Sequence, residues 1–364
     1  MAPSCVGFGC CRLVLGVALL SLAWISPAQA ILFHATGDPA HNTTPPTGPL
    51  QDSGWQWLGT WGAFLGTPVH SKFFLTAAHV GGQIGEPFRF RQQVYLTRAS
   101  VRVPNSDLRL WQICGVFPDF AALNTNRNIG GRDLVWFGRG TERGAAVTLT
   151  NQDSTELRGW RWGPDTRVIR WGENQVEESV ELDEAGHFLR ATFDAGGGPN
   201  ECHLSDGDSG GPAFIFESGR WELAAIHYAV DGPYSYDAAG PGFNGSLFNH
   251  QGFYWRDNSA WIPTTELEDP ASGSLYATEV AAYAEWILNH LSIPIPPDDA
   301  PFVQRAGAVH GPFTDEPQAD IDASNRTISL DVPSVPTFYR LRGCQPLRMT
   351  GARIEQERLV FQYE

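Results

Sequence analysis

The chain has 364 residues, 42% of them hydrophobic and 18% charged, and its 40 acidic against 25 basic side chains leave a formal net charge of −15. Such a carboxylate excess disfavours DNA, RNA and anionic membranes as partners, so no nucleic-acid ligand is expected. The length accommodates one large folded unit and a small extra module.

Residues 1–30 read as a secretory signal: Arg12 precedes an apolar run from Leu13 to Ile25, and Pro27 leads into the small-residue site Ala28-Gln29-Ala30. The run is shorter than the ~20 residues of a spanning helix. Cleavage before Ile31 is therefore expected, with no stable membrane insertion afterwards. Cys5, Cys10 and Cys11 leave with the leader, and the remaining Cys114, Cys202 and Cys344 allow one disulfide at most.

From Trp55 onward come short β-prone runs, among them Phe73-Phe74-Leu75, Val94-Tyr95-Leu96, Leu134-Val135-Trp136-Phe137 and Val147-Thr148-Leu149, punctuated by Gly, Pro, Asn and Asp. More follow at Val168-Ile169, Phe188 to Phe193, Ala213 to Phe216 and Leu223 to Ile226. The pattern predicts an all-β fold of two antiparallel barrels. The long segment between Asp231 and Ser274 is rich in aromatic residues and is expected to pack as core. Val280, Tyr283, Ile287 and Leu291 then recur at helical spacing between a Thr278 cap and Pro294, predicting a helix over 278–291. A stiff, proline-rich linker is expected over 294–300. Beyond it, Ile328, Leu330 and Val332, and again Leu359, Phe361 and Tyr363, alternate with the period of half-buried strands, predicting a small β module over 301–364.

Three segments carry chemistry: Leu75-Thr76-Ala77-Ala78-His79, Asp107-Leu108-Arg109-Leu110 and Gly207-Asp208-Ser209-Gly210-Gly211-Pro212. They resemble the histidine, aspartate and serine motifs of the chymotrypsin/trypsin-like serine proteases, in that family's order, which separates it from subtilisins and α/β-hydrolases. Tyr283-Ala284-Glu285-Trp286-Ile287 is similar to the family's closing helix, so the resemblance runs from about Trp55 to Ser292. It implies two six-stranded-type barrels and a C-terminal helix within residues 31–293. Val80 stands where animal trypsins place a cysteine, which points to a bacterial-style enzyme, secreted or periplasmic, with a C-terminal β extension.

A serine hydroxyl is a poor nucleophile near neutral pH, so amide cleavage needs a base for its proton and donors for the charge on the attacked oxygen. The resemblance implies His79 as base, Asp107 as its orienting carboxylate, Ser209 as nucleophile, and the N–H groups of Gly207 and Ser209 as an oxyanion hole. Asp119 is the rival carboxylate, but it follows Pro118 and lacks the flanking apolar alternation. Asp208 should hold the serine loop by an internal pair, either with the amine that cleavage frees on Ile31 or with an arginine.

His203 occupies the position where trypsins carry the aspartate that selects Lys or Arg, His227 and Val230 fall on the expected pocket wall, and Asp206 lies three residues before Ser209. Two preferences follow from the resemblance: small apolar side chains admitted by a pocket narrowed by Val230, or acidic ones held by His227 with His203, a choice Asp206 opposes. The chain carries no P-loop, dinucleotide fingerprint or His-Glu-x-x-His motif, and no cofactor or catalytic metal is expected. The expected activity is serine endopeptidase cleavage of a polypeptide substrate. The alternative is an idle protease homologue acting as a secreted binding protein.

Overall fold

Large apolar side chains spaced two apart and broken by glycine-rich turns yield antiparallel ladders along most of the chain. The computed structural model describes residues 31–364 except 152–153, 183–184, 258–259, 267–270, 296–297, 299–300, 317 and 346. The expected leader, and Pro296, Pro297, Asp299 and Ala300 of the expected linker, lie outside the described residues. A short β1 (Leu32–Phe33) opens the fold. It is followed by β2 (Gly59–Trp61), β3 (Phe64–His70), β4 (Phe73–Ala77), β5 (Pro87–Phe90), β6 (Gln93–Arg102) and β7 (Leu108–Ile113), which close into a barrel in the order β2-β3-β4-β7-β6-β5. Its interior is filled by aromatic rings: Phe74 stacks on Phe88 with centroids 3.9 Å apart, and Trp61, Phe90 and Trp111 complete the cluster. Gly59 and Gly66 make room for those rings, since a Cβ on either would collide with Phe88 or Phe74.

The second half contributes β8 (Ala122–Leu123), β9 (Asp133–Gly138), β10 (Thr141–Thr150), β11 (Thr155–Asp165), β12 (Arg170–Gln175), β13 (Glu178–Leu182), β14 (Gly186–Thr192), β15 (Cys202–His203), β16 (Pro212–Glu217) and β17 (Arg220–Val230). Further on are β18 (Tyr234–Ser235), β19 (Gly245–Leu247), β20 (Tyr254–Asp257), β21 (Ala260–Pro263) and β22 (Ser274–Glu279). An eight-stranded sheet runs β12-β9-β16-β17-β22-β14-β13, with β8 alongside β17. A second closed barrel was expected; by strand pairing this sheet is open. Its two edge strands, β12 and β13, are consecutive in the chain: beside their junction Glu177 N–H donates to the Arg190 carbonyl of β14 at 2.8 Å, and Asn174 of β12 donates to the carbonyls of Thr192 (2.7 Å) and Cys202 (2.8 Å). The aromatic segment after Asp231 forms the β18-β20-β21 sheet and lends β19 to the β10-β11 hairpin, around a small core of Val147, Tyr234, Phe243, Leu247 and Phe253.

The helix begins later than its periodicity suggests. Thr278 is fully buried in β22, paired with Ile226 and Phe188, so its backbone is committed to the sheet and cannot cap a helix. A 3-10 turn at Val280–Ala282 intervenes before α1 (Ala284–Leu291). Val280 and Ile287 bury themselves with Leu75, Leu110, Phe137 and Phe214 in a cluster that joins barrel and sheet. This shared core brings together the edges that carry the three motifs.

After α1, β23 (Phe302–Ala306), β24 (Thr314–Asp315), β25 (Asp320–Asp322), β26 (Thr327–Asp331), β27 (Phe338–Arg342), β28 (Met349–Glu355) and β29 (Arg358–Tyr363) form a three-stranded and a four-stranded sheet. Ile328, Leu330, Phe361 and Tyr363 are their core, as the alternation predicts, whereas Val332 lies beyond β26 and is exposed. A Cys114–Cys344 disulfide fastens these sheets to the first barrel, and Cys202 stays free and buried. Asp298 adds a second clasp, accepting from Lys72 Nζ at 2.7 Å and Gly115 N–H at 3.0 Å.

β1 pairs with β15, and His34 N–H extends that pairing to the Glu201 carbonyl at 3.0 Å. The Glu201 carboxyl is buried beside Asp194 and Glu177, and burial above all pushes its pKa up to about 8. A carboxyl with a raised folded-state pKa binds its proton more tightly folded than unfolded, so stability falls as pH rises from the ordinary glutamate value toward about 8. Thermal midpoints at pH 5 and pH 8 should differ less in Glu201→Gln than in the wild type, because the amide removes this titration.

Candidate active site

The register of one ladder delivers the first half of the site. Ala77 of β4 pairs with Leu108 of β7, so the residues just beyond, Ala78 and His79 on one side and Asp107 on the other, are held face to face. Ala78 N–H donates to the Asp107 carbonyl at 2.7 Å, and His79 N–H donates to Asp107 Oδ1 at 3.0 Å. The remaining oxygen, Oδ2, accepts from His79 Nδ1 at 2.5 Å. Ser106 fixes the preceding turn, its hydroxyl donating to the Val103 carbonyl and accepting from Leu108 N–H. The Asp107 side chain is 8% exposed and that of His79 38%, so the carboxylate is sequestered while the imidazole reaches solvent. Tyr228 meets the His79 ring edge-on, with centroids 5.8 Å apart. Asp119 is elsewhere, pairing on the surface with Arg91 at 2.7 Å.

The serine loop is shaped from within by Asp208. This fully buried carboxylate accepts from Gly140 N–H (2.7 Å), Ser205 N–H (2.8 Å) and Ser205 Oγ (2.9 Å), yet burial still pushes its pKa up to about 6. Among the described residues no cationic side chain pairs with it. Gly207 holds φ at +90°, where a side chain would be strained. Among the described residues, the N–H groups of Gly207 and Ser209 find no acceptor, whereas that of Gly210 donates to the His227 carbonyl at 3.1 Å. Gly210 lies against β4: a Cβ there would strike Thr76 Oγ1 and the Leu65 carbonyl, so the loop approaches the strand that carries His79. No hydrogen bond joins His79 to Ser209 among the described residues; such bonds often tighten only when substrate binds.

Beside Ser209 opens a cavity of about 240 Å³, lined in part by Leu204, Asp206, His227, Tyr228, Val230 and Trp162. Val230, Asp206 and His227 belong to that lining. His203 does not: it lies outside this lining, in β15 beneath β1, with Nδ1 2.8 Å from the Leu204 carbonyl and Nε2 3.3 Å from that of Ser274. The β1–β15 pairing, invisible to residue counting, turns it inward. Burial lowers the pKa of His203 to about 4 and that of His227 to about 3, so both rings are neutral near pH 7. His227 Nδ1 donates to the Asp208 carbonyl at 3.1 Å, and the ring stacks on Trp136. Trp162 was missed from sequence because it reaches the cavity from the β10–β11 hairpin.

Ile31 is also drawn to this region. Its side chain is buried, and a Cβ on Gly138 would meet both Ile31 Cγ1 and Asp208 Oδ1, which places the two near each other over that glycine. Among the described residues, no group of three or more His, Cys, Asp or Glu could hold a metal ion, and no helix is long and apolar enough to cross a membrane. No known family model matches the chain, and no curated protein matches it significantly.

Gly140 leaves no room for a side chain, since a Cβ would strike Ser205 Oγ and the Asp206 carbonyl. Gly140→Ala should therefore destabilise the fold by roughly 1–3 kcal/mol, the usual scale of overpacking. Denaturant unfolding compared with the wild type measures it.

Proposed function

We propose that the protein is a secreted or periplasmic serine endopeptidase of the chymotrypsin-like type, hydrolysing polypeptides through an acyl-enzyme on Ser209. The observation that carries this reading is the His79–Asp107 pair, in which both carboxylate oxygens are engaged by the same residue. Asp107 fixes the tautomer with hydrogen on Nδ1, leaving Nε2 free to accept a proton. In the scheme, Ser209 Oγ attacks the peptide carbonyl as its proton passes to His79 Nε2. The Gly207 and Ser209 N–H groups receive the charge on the carbonyl oxygen, which fits their lack of partners among the described residues. Collapse breaks the C–N bond, and His79 returns the proton to the departing amine. Water then attacks the acyl group, His79 takes its proton, and release of the acid restores Ser209. The scheme needs neither metal nor cofactor.

The eight-stranded sheet, whose edge strands β12 and β13 are consecutive in the chain, is read as the second barrel of this fold and α1 as its closing helix. Residues 31–293 would form the protease domain, 294–300 the linker and 301–364 an appended β module. The buried Asp208, with Ile31 close by, supports activation by leader removal: the freed Ile31 amine would neutralise the carboxylate.

A fluorophosphonate probe should label the wild type and not Ser209→Ala; an unlabelled, folded wild type would instead favour the idle binding homologue. Asp107→Asn should lower kcat by about 10^4, as removal of the orienting carboxylate does elsewhere, while Asp119→Asn should leave peptide cleavage unchanged. Adding one residue ahead of Ile31 should suppress cleavage, and unchanged activity would reject the activation route.

A further inference from the structure

We infer that Trp162 sets the substrate preference, its indole walling the cavity beside Ser209 so that the residue before the scissile bond must carry a small apolar side chain. The inference rests on the hydrolase reading, and it draws on a part of the chain the catalytic scheme does not use.

Trp162 belongs to β11, and its neighbours Gly159, Trp160 and Arg161 pair with Leu247, Ser246 and Gly245 of β19. The segment after Asp231 therefore holds it in place: Trp162 N–H donates to the Asn244 carbonyl at 3.1 Å and its indole Nε1–H to Ser246 Oγ at 3.3 Å. Behind it stands an apolar cluster of Leu32, Trp160, Phe193 and Phe248, backed by the Arg143 guanidinium 3.6 Å above the Trp160 ring. An indole tethered at one end and packed on such a cluster resists displacement by a bulky substrate group. The 231–274 segment thus acts as a brace for the pocket wall.

The electrostatics select against acidic side chains. His227 is neutral and spends Nδ1 on the Asp208 carbonyl, and His203 is outside the cavity, so no cation awaits an acidic group. Asp206 lines the same cavity and would repel one. A long basic side chain finds the indole in its way. Leu204, Tyr228, Val230 and Trp162 supply the apolar part of the lining of this cavity of about 240 Å³.

The test compares kcat/KM on peptides differing only in Ala, Val, Phe, Glu or Lys before the scissile bond, for wild type, Trp162→Ala, Trp162→Phe and Ser246→Ala. The wild type should prefer Ala or Val. Trp162→Ala should raise the Phe:Ala ratio by roughly 10–100-fold, the scale on which pocket size discriminates apolar groups, with Trp162→Phe between. Ser246→Ala, which frees the indole, should move the ratio in the same direction and carries the test with Trp162→Phe should Trp162→Ala fail to fold. An unchanged ratio in folded, active variants, or a wild-type preference for Glu or Lys, overturns the inference while leaving the enzyme intact. A wild type that cleaves none of the peptides and escapes the fluorophosphonate probe overturns the hydrolase reading itself.

Discussion

The site depends on one ladder, β4 against β7. Because Ala77 is paired with Leu108, the chain leaves both strands with Asp107 already beside Ala78 and His79, and three contacts follow: backbone to backbone, backbone to carboxylate, and imidazole to carboxylate. Catalytic pairs are worth most when their geometry is fixed before substrate arrives. Here barrel hydrogen bonds and the apolar cluster of Leu75, Leu108, Leu110 and Val103 supply the fixing, so rigidity at the site is inherited from the core.

A second buried carboxylate organises the other half. Asp208 gathers the backbone of Gly140 and Ser205 around itself and bends the chain so that Ser209 stands at the cavity while Gly210 presses on β4. Burying a charge with hydrogen bonds but no cation is expensive, and the upward shift of its pKa records that cost. Ile31 and Leu32 lie at two ends of the same arrangement, one flanking Gly138 near Asp208 and the other packed under the Trp160 cluster. The first residues of the described chain thus touch both the serine loop and the pocket wall.

Much of this was legible in the sequence where the signal is local. Alternating apolar residues announce strands, and the three motifs sit where the strands end. Legibility stops where position depends on distant partners. Thr278 looks like a helix cap until its pairing with Ile226 and Phe188 places it in the middle of a sheet. His203 counts back correctly from Ser209, yet pairing with Leu32 rotates it away from the cavity. Trp162 comes near Ser209 through a hairpin whose partner strand, β19, lies some eighty residues further on, and no short-range pattern encodes that. The second barrel is a similar case: strand content predicts a sheet, but closure depends on how its edge strands β12 and β13 meet β14, here through Glu177 N–H to Arg190 and Asn174 to Thr192.

The Cys114–Cys344 bond closes a loop whose ends are 230 residues apart, encompassing Ser209 and almost everything built around it. Such a bond cannot form until the chain has been synthesised as far as Cys344, so covalent locking follows the synthesis of every strand around Ser209. It also means that a single cut between the two cysteines would not release a fragment. A molecule cut once inside this loop would hold together as two linked pieces, and only a reductant would reveal the break.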